Sequence, residues 1–195
     1  MQTFANDARS MFLIARQYYV ANCYLQTLSR RAFSPEVVTS AFALELMLKC
    51  ILKIEDRKIP REHEFDSLFS RLSDEAKRIL QKKWDDSYDI EGARALAAVT
   101  GQTSSLTLYD ALKNSRHAFK QWRYLFETGG VARFDLSVLL KAANDYILER
   151  KPEWANDFPD PDLEAKNLRI YMQGLADGLS QAGATPSPGS TERGS

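Results

Sequence analysis

The residues with the chemistry to act on a substrate gather in one run, NSRHAFKQWRYLFE, from Asn114 to Glu127. Phe119, Trp122 and Phe126 recur there at helical spacing and are expected to face a core, while Arg116, Arg123 and Glu127 fall along one flank. Cleaving RNA without a metal takes an acid and a base near the 2′-hydroxyl and the leaving oxygen, and a cation for the charge that develops on phosphorus. Arg116, His117 and Arg123 are residue types suited to those roles, and a homodimer could bring His117 from each chain together, though nothing in the sequence shows that it does. No spacing in the run defines that reaction, and the plain reading of His117 is an exposed polar side chain. The other histidine, His63, precedes Glu64 and Phe65 at an expected helix start, where an imidazole commonly stabilises a turn.

A second constellation consists of charges set into apolar helices. Glu45 and Lys49 stand four apart, in the favourable acid-before-base order, amid residues that expect burial. One reading is a structural ion pair that fixes helix register. The other is a polar pocket between helices, with Arg123 binding an anion and Glu45 and Glu127 orienting it. The run around Arg116 also reads as a basic stripe of Lys113, Arg116, Lys120 and Arg123, with Tyr109 and Tyr124 close by. Cations that track phosphates beside aromatics that stack on bases suit single-stranded RNA or a nucleotide. A solvated helix face has the same pattern.

Other chemistries drop out. Two histidines and two cysteines without short ligand spacing make no zinc site, and no glycine-rich loop or Gly-x-Ser-x-Gly is present. No cofactor is expected. Asp85-Asp86 and Asp160-x-Asp162 sit in polar, loop-like sequence. Cys23 and Cys50 lie within apolar helical patterns and read as small buried hydrophobes. With 26 basic and 26 acidic residues, no overall field draws in nucleic acid or a membrane, so such binding needs a local patch. The N-terminal apolar run is too interrupted for a signal peptide, and no stretch is long enough to span a bilayer. A cytoplasmic protein is expected.

The elements that must position these residues read as helix after helix, so the fold class is all-α. The first helix runs from about Asn6 to Arg31. Ser34-Pro35-Glu36 opens a second, apolar on nearly all sides, which should be central or sit at an interface. After a loop broken by Pro60 comes a short amphipathic segment with Phe65, Leu68, Phe69 and Leu72; then Ser73-Asp74-Glu75 caps a helix through Trp84. A surface loop is expected from Asp85 to Thr107. A helix from about Leu108 to Glu127 is stopped by Gly129-Gly130, and another spans Asp135 to Arg150. A Pro-rich connector leads to a last helix from Leu163 to Leu179. This divides the chain into a bundle over 1–150, a connector and C-terminal helix over 151–181, and a disordered tail over 182–195.

SAFALELMLKCILK, HEFDSLFSRLS and AFKQWRYLFE, taken in that order, resemble the HEPN superfamily of small helical-bundle proteins, over about Ser34 to Arg150. The resemblance implies a bundle of four to five core helices, and with the last helix the expected fold is an antiparallel bundle with a C-terminal helical extension. It also implies homodimerisation and roles in toxin–antitoxin pairs, phage defence and RNA metabolism. Many members are metal-independent ribonucleases with an arginine and a histidine separated by four to six residues near the start of a late helix. This chain departs from that motif: Arg116 and His117 are adjacent, no histidine follows His117, and Arg57 to His63 matches only in a proline-interrupted loop. The expectation is a non-catalytic binding or regulatory protein contacting RNA, a nucleotide or a partner protein. Its ligand-binding residues are taken as Glu45, Lys49, Arg116, Lys120, Arg123, Tyr124 and Glu127. The alternatives are a divergent ribonuclease toxin using Arg116, His117 and Arg123, and a structural dimerisation scaffold.

Overall fold

Continuous apolar faces at helical spacing give this chain helices and nothing else among its described residues. A computed structural model describes residues 7–27, 33–100, 105, 107–117, 136–157 and 160–182. Over them runs an all-α, multi-helix bundle: α1 (Ala8–Thr27), α2 (Phe33–Ile54), α3 (Phe65–Ser70), α4 (Asp74–Ser87), α5 (Ile90–Thr100), α6 (Leu108–Asn114), α7 (Ser137–Arg150), a 3-10 helix (Pro152–Asp157) and α8 (Pro161–Ala182).

The helix apolar on all sides is central, as its composition requires. Val37, Ala41, Leu44, Met47, Leu48, Ile51 and Leu52 of α2 are all buried. They meet Phe12 and Tyr19 of α1, Phe65 and Leu68 of α3, Trp84 of α4 and Leu139, Leu140 and Tyr146 of α7 in one core. α1 and α2 run antiparallel, since Gln26 bonds Glu36 and Asn22 bonds Ser40 at one end while Cys50 Sγ donates to the Ala8 carbonyl at the other. Cys23 and Cys50 are buried free thiols. Burial pushes the Cys50 thiol up to about 12, so it stays protonated and unreactive.

Helix starts follow their caps. Ser73 Oγ accepts from the Ala76 N–H at 3.1 Å, as expected from Ser73-Asp74-Glu75, and Thr107 does the same for Asp110. α2 ends in a Schellman turn: the Arg57 N–H reaches the Leu52 carbonyl at 2.8 Å, the Asp56 N–H reaches Lys53, and Asp56 takes a positive φ of 53°.

Three expectations are corrected. The segment expected as a surface loop from Asp85 contains α5, because IEGARALAAVT is rich in strong helix formers and Asp89 Oδ1 caps it at the Gly92 N–H. The expected connector holds a 3-10 helix whose Trp154 is buried 5.7 Å from the ring of Phe12. The helix expected from Leu108 to Glu127 stops at Asn114 and gives way to turn over 115–117. Asn114 bonds Ser105 and Ser115 is fully buried, so short polar side chains draw the chain out of helix there.

Candidate functional site

Glu45 sits in the middle of α2 and is buried, its side chain 5 % exposed. Two donors reach the same carboxylate oxygen: Lys49 Nζ at 2.8 Å from one turn along, and His63 Nδ1 at 2.8 Å from the loop before α3. A carboxylate only accepts, so Nδ1 of His63 carries the proton in this contact. The ring of His63 is otherwise open, its side chain 59 % exposed. The pair expected on one helix is therefore a triad that ties α2 to the start of α3.

The start of α3 gathers the second set of charges. Arg116, in the turn after α6, grips Asp66 in a fork: Nε lies 3.1 and 3.0 Å from the two carboxylate oxygens and a terminal nitrogen bonds one of them. Glu64 lies 3.9 Å from the same guanidinium and 4.0 Å from Nδ1 of His117. The Arg116 hydrogen bond holds the Asp66 carboxyl below its ordinary range, and the Asp66 carboxylate in turn raises Arg116. Both histidines of the chain, His63 and His117, thus border Glu64 on one corner formed by α2, α3 and the end of α6.

Of the residues expected from sequence, Glu45, Lys49, Arg116 and His117 reach this corner; the first two join through His63, the second two through Glu64 and Asp66. Lys120, Arg123, Tyr124 and Glu127 lie outside the described residues, and so does the expected meeting of Glu45 with Arg123. Of the stripe expected from Lys113, Arg116, Lys120 and Arg123, Lys113 lies on α6 and Arg116 in the turn over 115–117, while Lys120 and Arg123 lie outside the described residues. Lys113 is exposed on α6, and Tyr109 is exposed on the same helix.

Sequence reasoning missed His63 and Asp66 as partners. The burial forced on Glu45 was a usable signal, because a carboxylate there needs more than one donor. It also missed Arg16, which lies inside α1 at 1 % exposure with its guanidinium over the ring of Phe12. Burial lowers the Arg16 pKa, and the charge of Asp160 works against that shift. A separate groove of about 580 Å³ runs between α1, α4 and α7, lined by Tyr19, Asn22, Lys83, Asp86, Lys141 and Asp145 among others. Its rim charges are matched, Lys141 with Asp145 and Lys83 with Glu149, and among the described residues none of the expected site residues lines it.

Among the described residues no helix is long and apolar enough to cross a membrane, and no cluster of three or more His, Cys, Asp or Glu side chains is placed to hold a metal ion. Compared with protein-family models, curated proteins and solved structures, the chain finds no significant match. The corner of α2, α3 and α6 therefore has to be judged on its own geometry.

Proposed function

We propose that this protein is a HEPN-like, non-catalytic binding or regulatory protein that contacts RNA or a nucleotide through the corner where α2, α3 and the end of α6 meet. The observation that carries the reading is the fork between Arg116 and Asp66. A cation that is to stabilise a phosphorane must turn its N–H groups toward the reacting phosphate. Arg116 spends two of its nitrogens on Asp66, while the exposed parts of His63, His117 and Arg116 remain as a hydrogen-bonding rim. In this reading the chain is an antiparallel bundle of four to five core helices with α8 as extension, a cytoplasmic homodimer serving bacterial stress response or phage defence, with a partner protein as the other class of ligand.

One observation favours the ribonuclease reading instead: the two histidines of the chain share a corner, which is the composition an acid–base pair needs. Incubation of the protein with single-stranded RNA in chelator separates the two. The expected outcome is intact RNA in a complex that Arg116→Ala weakens. Cleavage that His63→Ala and His117→Ala each abolish would replace the binding reading with the enzymatic one.

A further inference from the structure

The loop between α2 and α3, with the end of α3, holds four cations: Arg57, Lys58, Arg61 and Arg71. Three of them, Lys58, Arg61 and Arg71, line a concavity of about 510 Å³ together with Ile59, Pro60 and Glu62. That volume is within the range of small-ligand clefts, about 300 to 1,000 Å³.

Two of the four cations are already engaged. Arg57 lies 3.4 Å from Glu55 and donates to the Arg71 carbonyl at 2.9 Å, while Arg71 donates to Glu62 at 3.0 Å. Glu62, the acid in the wall, is further bound by the Ser67 hydroxyl, which with Arg71 holds its carboxyl below the ordinary range. Lys58 and Arg61 are different. Both are exposed, and neither has an acidic partner among the described residues. The concavity therefore presents two unopposed positive charges.

The cup is also held in shape before anything binds. The Schellman turn at Asp56 fixes one end, Glu55 accepts from the Ser73 N–H at 3.0 Å and from its hydroxyl at 2.5 Å, and Pro60 restricts the backbone between. Little ordering cost remains to weaken an incoming anion's binding. Arg61 and His63 are two residues apart, a span of at most about 7 Å, so a ligand seated here adjoins the rim described above.

We propose that this cup is a phosphate-binding site for single-stranded RNA, in which Lys58 and Arg61 contact the phosphate oxygens. The inference rests on the RNA-contact reading and says where the backbone is held: on the α2–α3 loop rather than along a basic helix. Ammonium and guanidinium groups suit phosphodiesters, and the acid of the lining, Glu62, is already bound by Arg71 and Ser67. Such contacts hold the strand without reading its sequence.

The test uses the full chain, a labelled single-stranded RNA oligomer followed by fluorescence anisotropy across a salt series, and inorganic pyrophosphate followed by calorimetry. Lys58→Ala/Arg61→Ala is the variant, and since neither side chain pairs with an acid its melting curve should match the wild type. The expected result is RNA binding about tenfold weaker or more, with the salt slope reduced by about 1.4, two phosphate contacts at ~0.7 each. RNA held equally by both proteins would overturn the cup and leave the RNA reading in place. Pyrophosphate binding that the variant loses, without any RNA binding, would keep the cup and remove RNA as its ligand. Failure of the wild type to bind either probe would overturn both.

Discussion

Arg116 and Asp66 illustrate how one contact sets both the chemistry and the stability of the corner. Asp66 has its folded pKa depressed by the Arg116 hydrogen bond, from an ordinary value of 3.8. A depressed carboxyl stabilises the fold fully above its unfolded pKa and loses that contribution as pH falls through the folded value. Asp66→Asn should therefore lower the melting temperature by about 2 to 4 °C at pH 7. The gap between variant and wild type should narrow as pH falls below the ordinary 3.8 and close only once pH has passed the depressed folded value, where Asp66 is protonated in both states. Thermal melts of the two proteins from pH 7 to pH 2 measure this, and a gap that stays constant with pH would show that the ion pair contributes nothing. Half of this corner was legible in the sequence. Glu45 and Lys49 declared themselves as charges in an apolar helix, and Arg116 and His117 as polar residues beside an aromatic run. Their actual partners, His63 and Asp66, were not legible, because each comes from α3 or the loop before it, and sequence spacing says nothing about which helix start packs against which turn. The same blindness hid the Lys58 and Arg61 cup. Its residues read as an ordinary charged loop until Glu62 is seen to be spent on Arg71 and Ser67.

At the level of elements, legibility followed the strength of the local code. Ser73 with Asp74 and Glu75 marked the start of α4 because the cap and the acidic first turn agree. α5 was missed because its evidence is an alanine-rich propensity rather than an apolar stripe, with Asp89 capping it at the Gly92 N–H. The end of α2 is the most telling case. A Schellman turn usually places glycine at the left-handed position, but here Asp56 occupies it at φ 53°, so the stop carried no glycine signal. An aspartate tolerates that conformation at some cost. Asp56→Gly should accordingly raise stability by about 0.5 kcal/mol, the relief of the left-handed residue exceeding the added freedom of the unfolded chain. Urea denaturation at pH 7 reads the change, and Asp56→Ala provides the opposite sign. Should Asp56→Gly destabilise and Asp56→Ala leave stability unchanged, the turn is held by the Glu55 contacts to Ser73 rather than by the backbone of residue 56.

For the whole molecule the question is whether the C-terminal helices belong to the same cooperative unit as the bundle. The contacts that join them are of different kinds. Trp154 packs on Phe12 and is 8 % exposed, Arg9 pairs with Asp157 with Nε at 2.8 Å, and the Tyr24 hydroxyl donates to Glu164 at 2.9 Å. Beyond these, Ile170, Tyr171, Met172 and Leu175 of α8 are exposed. Helical stability in proteins comes mostly from tertiary packing, so the first turns of α8 depend on their attachment to α1. The Arg9–Asp157 pair is exposed and contributes little, the Tyr24–Glu164 bond is part-buried, and the buried Trp154 is the largest apolar side chain among these contacts. Trp154→Ala should cost about 3 to 5 kcal/mol in urea denaturation, the usual range for emptying a large aromatic site. Hydrogen exchange then shows where the loss falls. In the wild type the amides of Pro161–Ala182 nearest α1 should be protected alongside those of α2; in Trp154→Ala they should exchange early while α2 stays protected, because α2 keeps its contacts with α3, α4 and α7. If α8 amides instead retained their protection in the variant, the polar contacts at Asp157 and Glu164 would be the true attachment, and Arg9→Ala with Tyr24→Phe would be the substitutions that release the helix.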